Sequence, residues 1–397
     1  MRPAPLPTVF WLLAVTNVFV GGMVGLERTL VPLLATRDFH LEAGAAALAF
    51  ITGFGIAKAF GNLAVGGLAD RYGRLLVLRA GWLLAWPVPL ALLLAHNWWV
   101  VILANILLGI QQALTWSMTV NMMVDAAGSA RRGLASGINE LAGYLGVSLA
   151  ALLTGVLAGP FGLRAPLALG FLVALLGTVL AFQVQETGRA APPPLTLPAA
   201  LQAVTWRHPE LSSATLLGFV TNLKDGAVWG LLPIVLTARH LPLAEVALVT
   251  GIYPLVWALS QALFGPLSDR LGRRGLAVSG VLLQGGALWL LAQPAQGGLT
   301  KVAAVLLGLG TGMAYPTLLA WVADASGPTW QATALGVYRF WRDAGYAGGA
   351  LGAGALASHL GGGAALTWAA FLLLGAAVVA GLRSSLAGGG AQTPGAT

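Results

Sequence analysis

The chain reads GGLADRYGR from Gly66 to Arg74 and, far downstream, GPLSDRLGRR from Gly265 to Arg274. The separation between Asp70 and Asp269 also relates Gly109 to Gly308, Asp125 to Asp324 and Gly137 to Gly336. Four pairs in one register mean an internal repeat about half a chain long. Each motif sits in a short polar break between long apolar runs. Hydrophobic residues make up 57% of the 397 and charged residues 9%. Soluble domains carry about 25% charged residues, so a water-soluble fold is excluded.

A helix needs about 20 mainly apolar residues to cross the hydrocarbon core. Working outward from the two motifs, twelve such runs fall near 8–35, 44–68, 75–95, 98–124, 133–158, 166–185, 211–236, 244–267, 275–294, 300–323, 332–358 and 364–384. The first run is too long for a signal-peptide core and lacks a small-residue cleavage site, so it is read as a retained first helix. The expected fold is an all-α membrane protein of two pseudo-symmetric six-helix bundles, 1–185 and 211–397, the second ending in a short tail. A linker spans 186–210, with Pro192, Pro193 and Pro194 followed by a short helix near 197–206.

Basic residues near helix ends stay on the cytoplasmic side. One side carries twelve: Arg2, Arg71, Arg74, Arg79, Arg131, Arg132, Arg189, Arg207, Arg270, Arg273, Arg274 and Arg383. The other carries four, Arg37, Arg164, Arg239 and Lys301. This places both termini in the cytoplasm, with the chain a multi-pass protein of the inner membrane. Because the arginines are scattered through short loops, the net charge of +8 makes no nucleic-acid surface.

The duplicated loop resembles the signature G-x-x-x-D-R-x-G-R of the major facilitator superfamily (MFS), and the resemblance covers the whole chain. It implies a transporter whose halves rock about a central site near the midplane. It implies nothing about substrate. In each motif the glycines, Gly66 and Gly73 or Gly265 and Gly272, allow a tight turn and close helix approach. Asp70 faces either a helix amino terminus or Arg131 and Arg132. With Arg71, Arg74 and Asp125, and with Asp269, Arg270, Arg273 and Asp324 in the second half, it is read as a conformational latch.

Nine ionisable residues fall inside the predicted helices: Glu27, Arg28, Lys58, Glu140, Lys224, Asp225, Arg339, Arg342 and Asp343. Each costs about 2.5 to 3.5 kcal/mol at the bilayer centre, so each needs a polar cavity or a partner. They are the candidates for substrate binding and proton coupling. The repeat sets Glu140 of helix 5 opposite Arg339 or Arg342 of helix 11, depending on register. Arg339, Arg342, Asp343 and Tyr346 share one helix face, as do Glu140 and Tyr144. Asn105, Gln112, Trp116, Tyr144, Trp229, Tyr253, Trp257, Tyr315, Trp341 and Tyr346 are the candidates for lining the cavity. Gly348 and Gly352 have the small-xxx-small spacing of a close helix crossing, and Trp98 and Trp99 mark a membrane interface.

Drug and proton antiporters of the superfamily carry an arginine in helix 4 where this chain has Asn105, and a Gly-Pro within helix 5. Here Gly159-Pro160 lies at the outer end of helix 5 and is read as a turn. There is no cysteine, and the five histidines lie singly in or near loops, so no metal, cofactor or enzyme constellation is expected. The leading expectation is proton-coupled export of a small organic compound by a monomer that exchanges protons. The alternative is uptake of an organic anion, which five bases converging on one cavity would favour. A non-transporting receptor or scaffold is the remaining reading, disfavoured because nothing outside the bundle could report a signal.

Overall fold

The computed structural model describes residues 6–42, 44–128, 131–187, 197–294, 298–326 and 330–389, with 70, 132–133, 332 and 384–389 in backbone only. Among the described residues there is no strand. Helix α1 spans Thr8–Arg37, α2 Ala45–Tyr72, α3 Arg74–Leu93, α4 Trp98–Ala127 and α5 Arg132–Phe161. A 3-10 turn, Ala165–Ala168, leads into α6, Leu169–Gln183. The second half follows with α7 Pro209–Ala238, α8 Leu243–Leu271, α9 Arg273–Ala292, α10 Gly298–Ser326, α11 Gln331–Leu360 and α12 Gly362–Gly389.

Eleven of these helices are long and apolar enough to span a membrane among the described residues. The twelfth, α11, is 30 residues long but sets Arg339, Arg342 and Asp343 within about one turn. It survives in the membrane because those charges face protein rather than lipid, with Arg342 and Asp343 both buried.

Two expectations need correction. The third helix is interrupted, with regular helix over Arg74–Leu83 and Pro87–Leu93 and a turn between. Pro87 and Pro89 lack the amide protons that would continue the ladder. Gly159-Pro160 is not a turn, because α5 runs through it to Phe161 and reverses at Gly162, where φ is +78°. Between the halves, Leu197–Gln202 and a wider turn over Ala203–Arg207 form the short linker helix.

The repeat extends beyond the motifs. The loops after α1 and α7 both close at a histidine in left-handed backbone, His40 at φ 52° and His240 at φ 62°. Across the halves α2 packs on α11 and α5 on α8, the two contacts exchanging under the repeat. Helices α1 and α7 meet at the centre.

The two ends of this seam differ. Away from the arginine-rich loops the halves are closed: a Cβ on Gly155 would strike Ala247, one on Gly251 would strike Leu152, and Gly354 lies against the backbone of Ala45. Thr29 and Thr250 hydrogen-bond across the seam at 3.0 Å, and Ser148 donates to the Gly251 carbonyl at 2.8 Å. Toward the arginine-rich end the repeat-related Gly137 and Gly336 face open space. The seam is therefore closely packed at the end away from the arginine-rich loops.

Candidate functional site

Asp343 accepts four side-chain hydrogen bonds among the described residues. Its carboxylate accepts two bonds from Arg342, Nε at 2.7 Å and Nη2 at 3.0 Å. Asn62 of α2 donates to Oδ2 at 2.6 Å and Asn222 of α7 to Oδ1 at 3.1 Å. Ser117 of α4 in turn donates to the Asn62 carbonyl oxygen at 3.1 Å. One fully buried carboxylate thus ties three helices and both halves together. The opposite face of the Arg342 guanidinium lies over Tyr315, 5.1 Å from the ring centre.

A second cluster lies within the second half. Lys224 of α7 sits 3.1 Å from Asp225 and donates to the Tyr253 hydroxyl at 2.5 Å and the Thr311 hydroxyl at 3.1 Å. Tyr253 donates to the other side of the pair, Asp225 Oδ1. Arg28 of α1 lies over the Trp229 ring at 5.3 Å, and its Nε has no protein partner.

Lys58 of α2 is buried and makes no hydrogen bond or ion pair among the described residues. Its ammonium instead faces the rings of Trp116 at 5.3 Å, Phe54 at 5.6 Å and Tyr346 at 5.8 Å. The Trp116 indole also donates to Glu140 at 2.9 Å. From Trp116 an aromatic run crosses the seam: Tyr144 lies 5.3 Å away, packs at a tilt of 31° on Trp257 of α8 at 3.5 Å and donates to the Tyr315 hydroxyl at 3.1 Å. These rings span the seam between the two halves.

The structure sets Lys58, Glu140, Arg339, Arg342 and Asp343 in one electrostatic group and Lys224 and Asp225 in another, with Arg28 within range of both. Glu27 is separate. It turns into the first bundle, in a small cavity bordered by Met23, Val88, Leu92 and Leu167, with Asn105 its polar neighbour. Gln112 donates to the Val20 carbonyl at 2.8 Å and holds α4 on α1, while Trp341 donates to Thr205 of the linker helix at 3.0 Å. Sequence reasoning passed over Asn62, Ser117, Asn222 and Phe54. A buried asparagine in an apolar span was the available signal for two of them.

With this geometry in hand, comparison with known proteins is decisive for the family. The sequence profile of the Major Facilitator Superfamily matches residues 10–223 and, again, 214–387. The chain belongs to the Major Facilitator Superfamily. It is thus a membrane transporter of a family that is not a class of enzymes. It is 26% identical over 372 residues to an uncharacterized MFS-type transporter of Salmonella typhimurium, covering 90% of this chain and 92% of that one. The human organic anion transporter MFSD10 (TETRAN) has the same fold, with a TM-score of 0.73 at 16% identity over 95% of this chain and 100% of that chain. The nucleoside transporter NupG superposes with a TM-score of 0.74 at 14% identity, over 95% and 100% of the two chains. A POT family peptide transporter gives 0.74 at 15% identity, over 96% and 97%.

In this MFS transporter the signature loops make charge pairs within each half. Arg74 pairs with Asp125, and their repeat partners Arg273 and Asp324 pair at 3.0 Å. Arg273 also reaches Asp269 and Ser268. The side chains of Asp70 and Arg132 lie outside the described residues. Glu186, unremarked in the sequence, caps α3 by accepting from the Leu75 amide at 3.0 Å. Because Asp269 and Asp324 are well exposed, Arg273→Ala is expected to cost only about 0 to 1 kcal/mol in thermal unfolding. A slower transport cycle at near-normal stability would mark the pair as part of a latch, whereas unchanged turnover in proteoliposomes removes it from that role.

Proposed function

We propose that this transporter carries a small organic anion by alternating access and exchanges it for protons. One observation carries the anion reading. Around the passage stand five bases, Arg28, Lys58, Lys224, Arg339 and Arg342, against three acids, Glu140, Asp225 and Asp343. Two of the acids are matched by the base next to them in sequence, leaving excess positive charge in a low-dielectric space where it attracts an anion strongly. The fold is also the one that the human organic anion transporter uses.

On this reading the arginine-rich end faces the cytoplasm, and the closely packed end of the seam faces outward. An interior-negative potential then drives an anion outward and a proton inward, each by about 2.3 kcal/mol per 100 mV. Proton-coupled export is thus doubly favoured. Thermal stabilisation of the purified protein against a panel of organic anions, cations and neutral compounds tests the charge reading. Stabilisation by organic cations and by no anion would overturn it.

Proton coupling rests on Glu27, whose carboxylate is buried in the first bundle with Asn105 as its polar neighbour and no ion pair, Arg28 turning to the other side of the helix. A group so placed can gain or lose its charge without breaking an ion pair. Glu27→Gln is expected to abolish accumulation driven by a pH gradient while substrate exchange across proteoliposomes continues. Full gradient-driven accumulation in the variant excludes Glu27 as the proton carrier.

A further inference from the structure

We infer that Lys58 receives the substrate's anionic group and that this group is a carboxylate on a planar aromatic body. The inference rests on the anion reading above and names the class of anion. Among the bases at the centre, Arg342 has its guanidinium fork engaged by Asp343, and Lys224 has donors committed to Tyr253 and Thr311. Arg28 lies against Trp229 toward the closely packed end, and Arg339 lies a turn nearer the arginine-rich end, within electrostatic range of Glu140. Lys58 sits between these levels with all three N–H donors uncommitted to any described residue.

The setting of Lys58 decides the chemistry. Three ring faces stabilise an ammonium electrostatically without supplying an acceptor, so its directed hydrogen bonds remain to be made by something that enters. A carboxylate supplies the acceptor and the counter-charge together. Arg342, the base whose fork would grip a phosphate in two places, is already held by Asp343. Beside the ammonium the ring faces of Trp116, Phe54 and Tyr346 continue through Tyr144 to Trp257, an aromatic wall against which a flat aromatic ring packs better than a hydrated aliphatic chain. The indole N–H of Trp257 is buried and has no protein partner, which leaves a second donor on that wall.

The test is thermal stabilisation of the purified full-length protein by benzoate, benzamide, succinate, inorganic phosphate and tetraethylammonium. Benzoate is expected to raise the melting temperature, and its neutral isostere benzamide is not. Lys58→Gln is expected to weaken benzoate about thirtyfold, the loss of one charge-assisted contact, with Lys58→Arg retaining part of the affinity. Lys58 makes no direct ion pair and sees Asp343 and Glu140 only at longer range, so Lys58→Arg should keep the unliganded melting temperature and Lys58→Gln should lower it little. Unchanged benzoate affinity in Lys58→Gln overturns the assignment of Lys58, and Lys58→Met decides the matter if the glutamine variant does not fold. Stabilisation by succinate or phosphate above benzoate overturns the aromatic class while the anion reading stands. Stabilisation by tetraethylammonium alone removes both readings, and no shift with any probe at millimolar concentration overturns this one.

Discussion

Asp343→Ala is expected to cost about 3 to 5 kcal/mol of stability, the usual penalty for stranding one member of a buried pair. The physical reason is the company that the carboxylate keeps. Without it, Arg342 is left buried with an unanswered charge, and the amides of Asn62 and Asn222 lose their acceptor. Removing the whole problem should therefore restore much of what removing half of it loses. The double variant Arg342→Met with Asp343→Ala is expected to melt well above Asp343→Ala alone, because the Arg342 guanidinium is no longer stranded. Transport should be lost in both, since the link from Asn62 of α2 to α11 is gone in each. If the single variant melts like the parent protein, the node is not holding the halves together.

The same node shows what sequence could and could not reveal. Its charges were legible, because Arg342 and Asp343 in an apolar 30-residue helix demand partners. The identity of those partners was not, because Asn62 and Asn222 lie in other helices and only packing brings them within 3.1 Å. The adjacent pair Lys224 and Asp225 was equally visible, yet nothing in the sequence says that Tyr253 and Thr311 complete it. The repeat and the twelve spans were legible because hydropathy and the spacing of Asp70 and Asp269 are linear properties of the chain. Facing is not linear. Glu27 and Arg28 are neighbours in sequence, but about 100° of helix rotation sends one into the first bundle and the other toward the second half. Asn105 and Gln112 likewise point within the first bundle, serving Glu27 and the α1 backbone rather than the aromatic wall.

The glycines carry the other large effect, because each half has to move as one body if the two are to rock. Helix α5 lies on α1 through Gly146, where a Cβ would fall inside the van der Waals radius of the Val18 carbonyl oxygen. In the second half α11 lies on α7 through Gly349, where a Cβ would meet the Leu223 carbonyl in the same way. The sequence singled out Gly348 and Gly352 for a close helix crossing, but those face the side chains of Phe219 and Trp368, which can shift, whereas Gly349 faces backbone, which cannot. Gly146→Ala and Gly349→Ala are therefore each expected to destabilise by about 1 to 3 kcal/mol, the cost of overpacking a close contact. Gly336→Ala is the matched control. It lies on the same helix as Gly349 but faces open space, so the added methyl should be neutral or stabilise by up to about 1 kcal/mol through helix propensity. Thermal unfolding of the three variants decides the point. Equal melting temperatures for Gly336→Ala and Gly349→Ala would mean that α11 is not clamped to α7, and a half that is not clamped cannot pass a movement at its substrate face to the seam where the two halves meet.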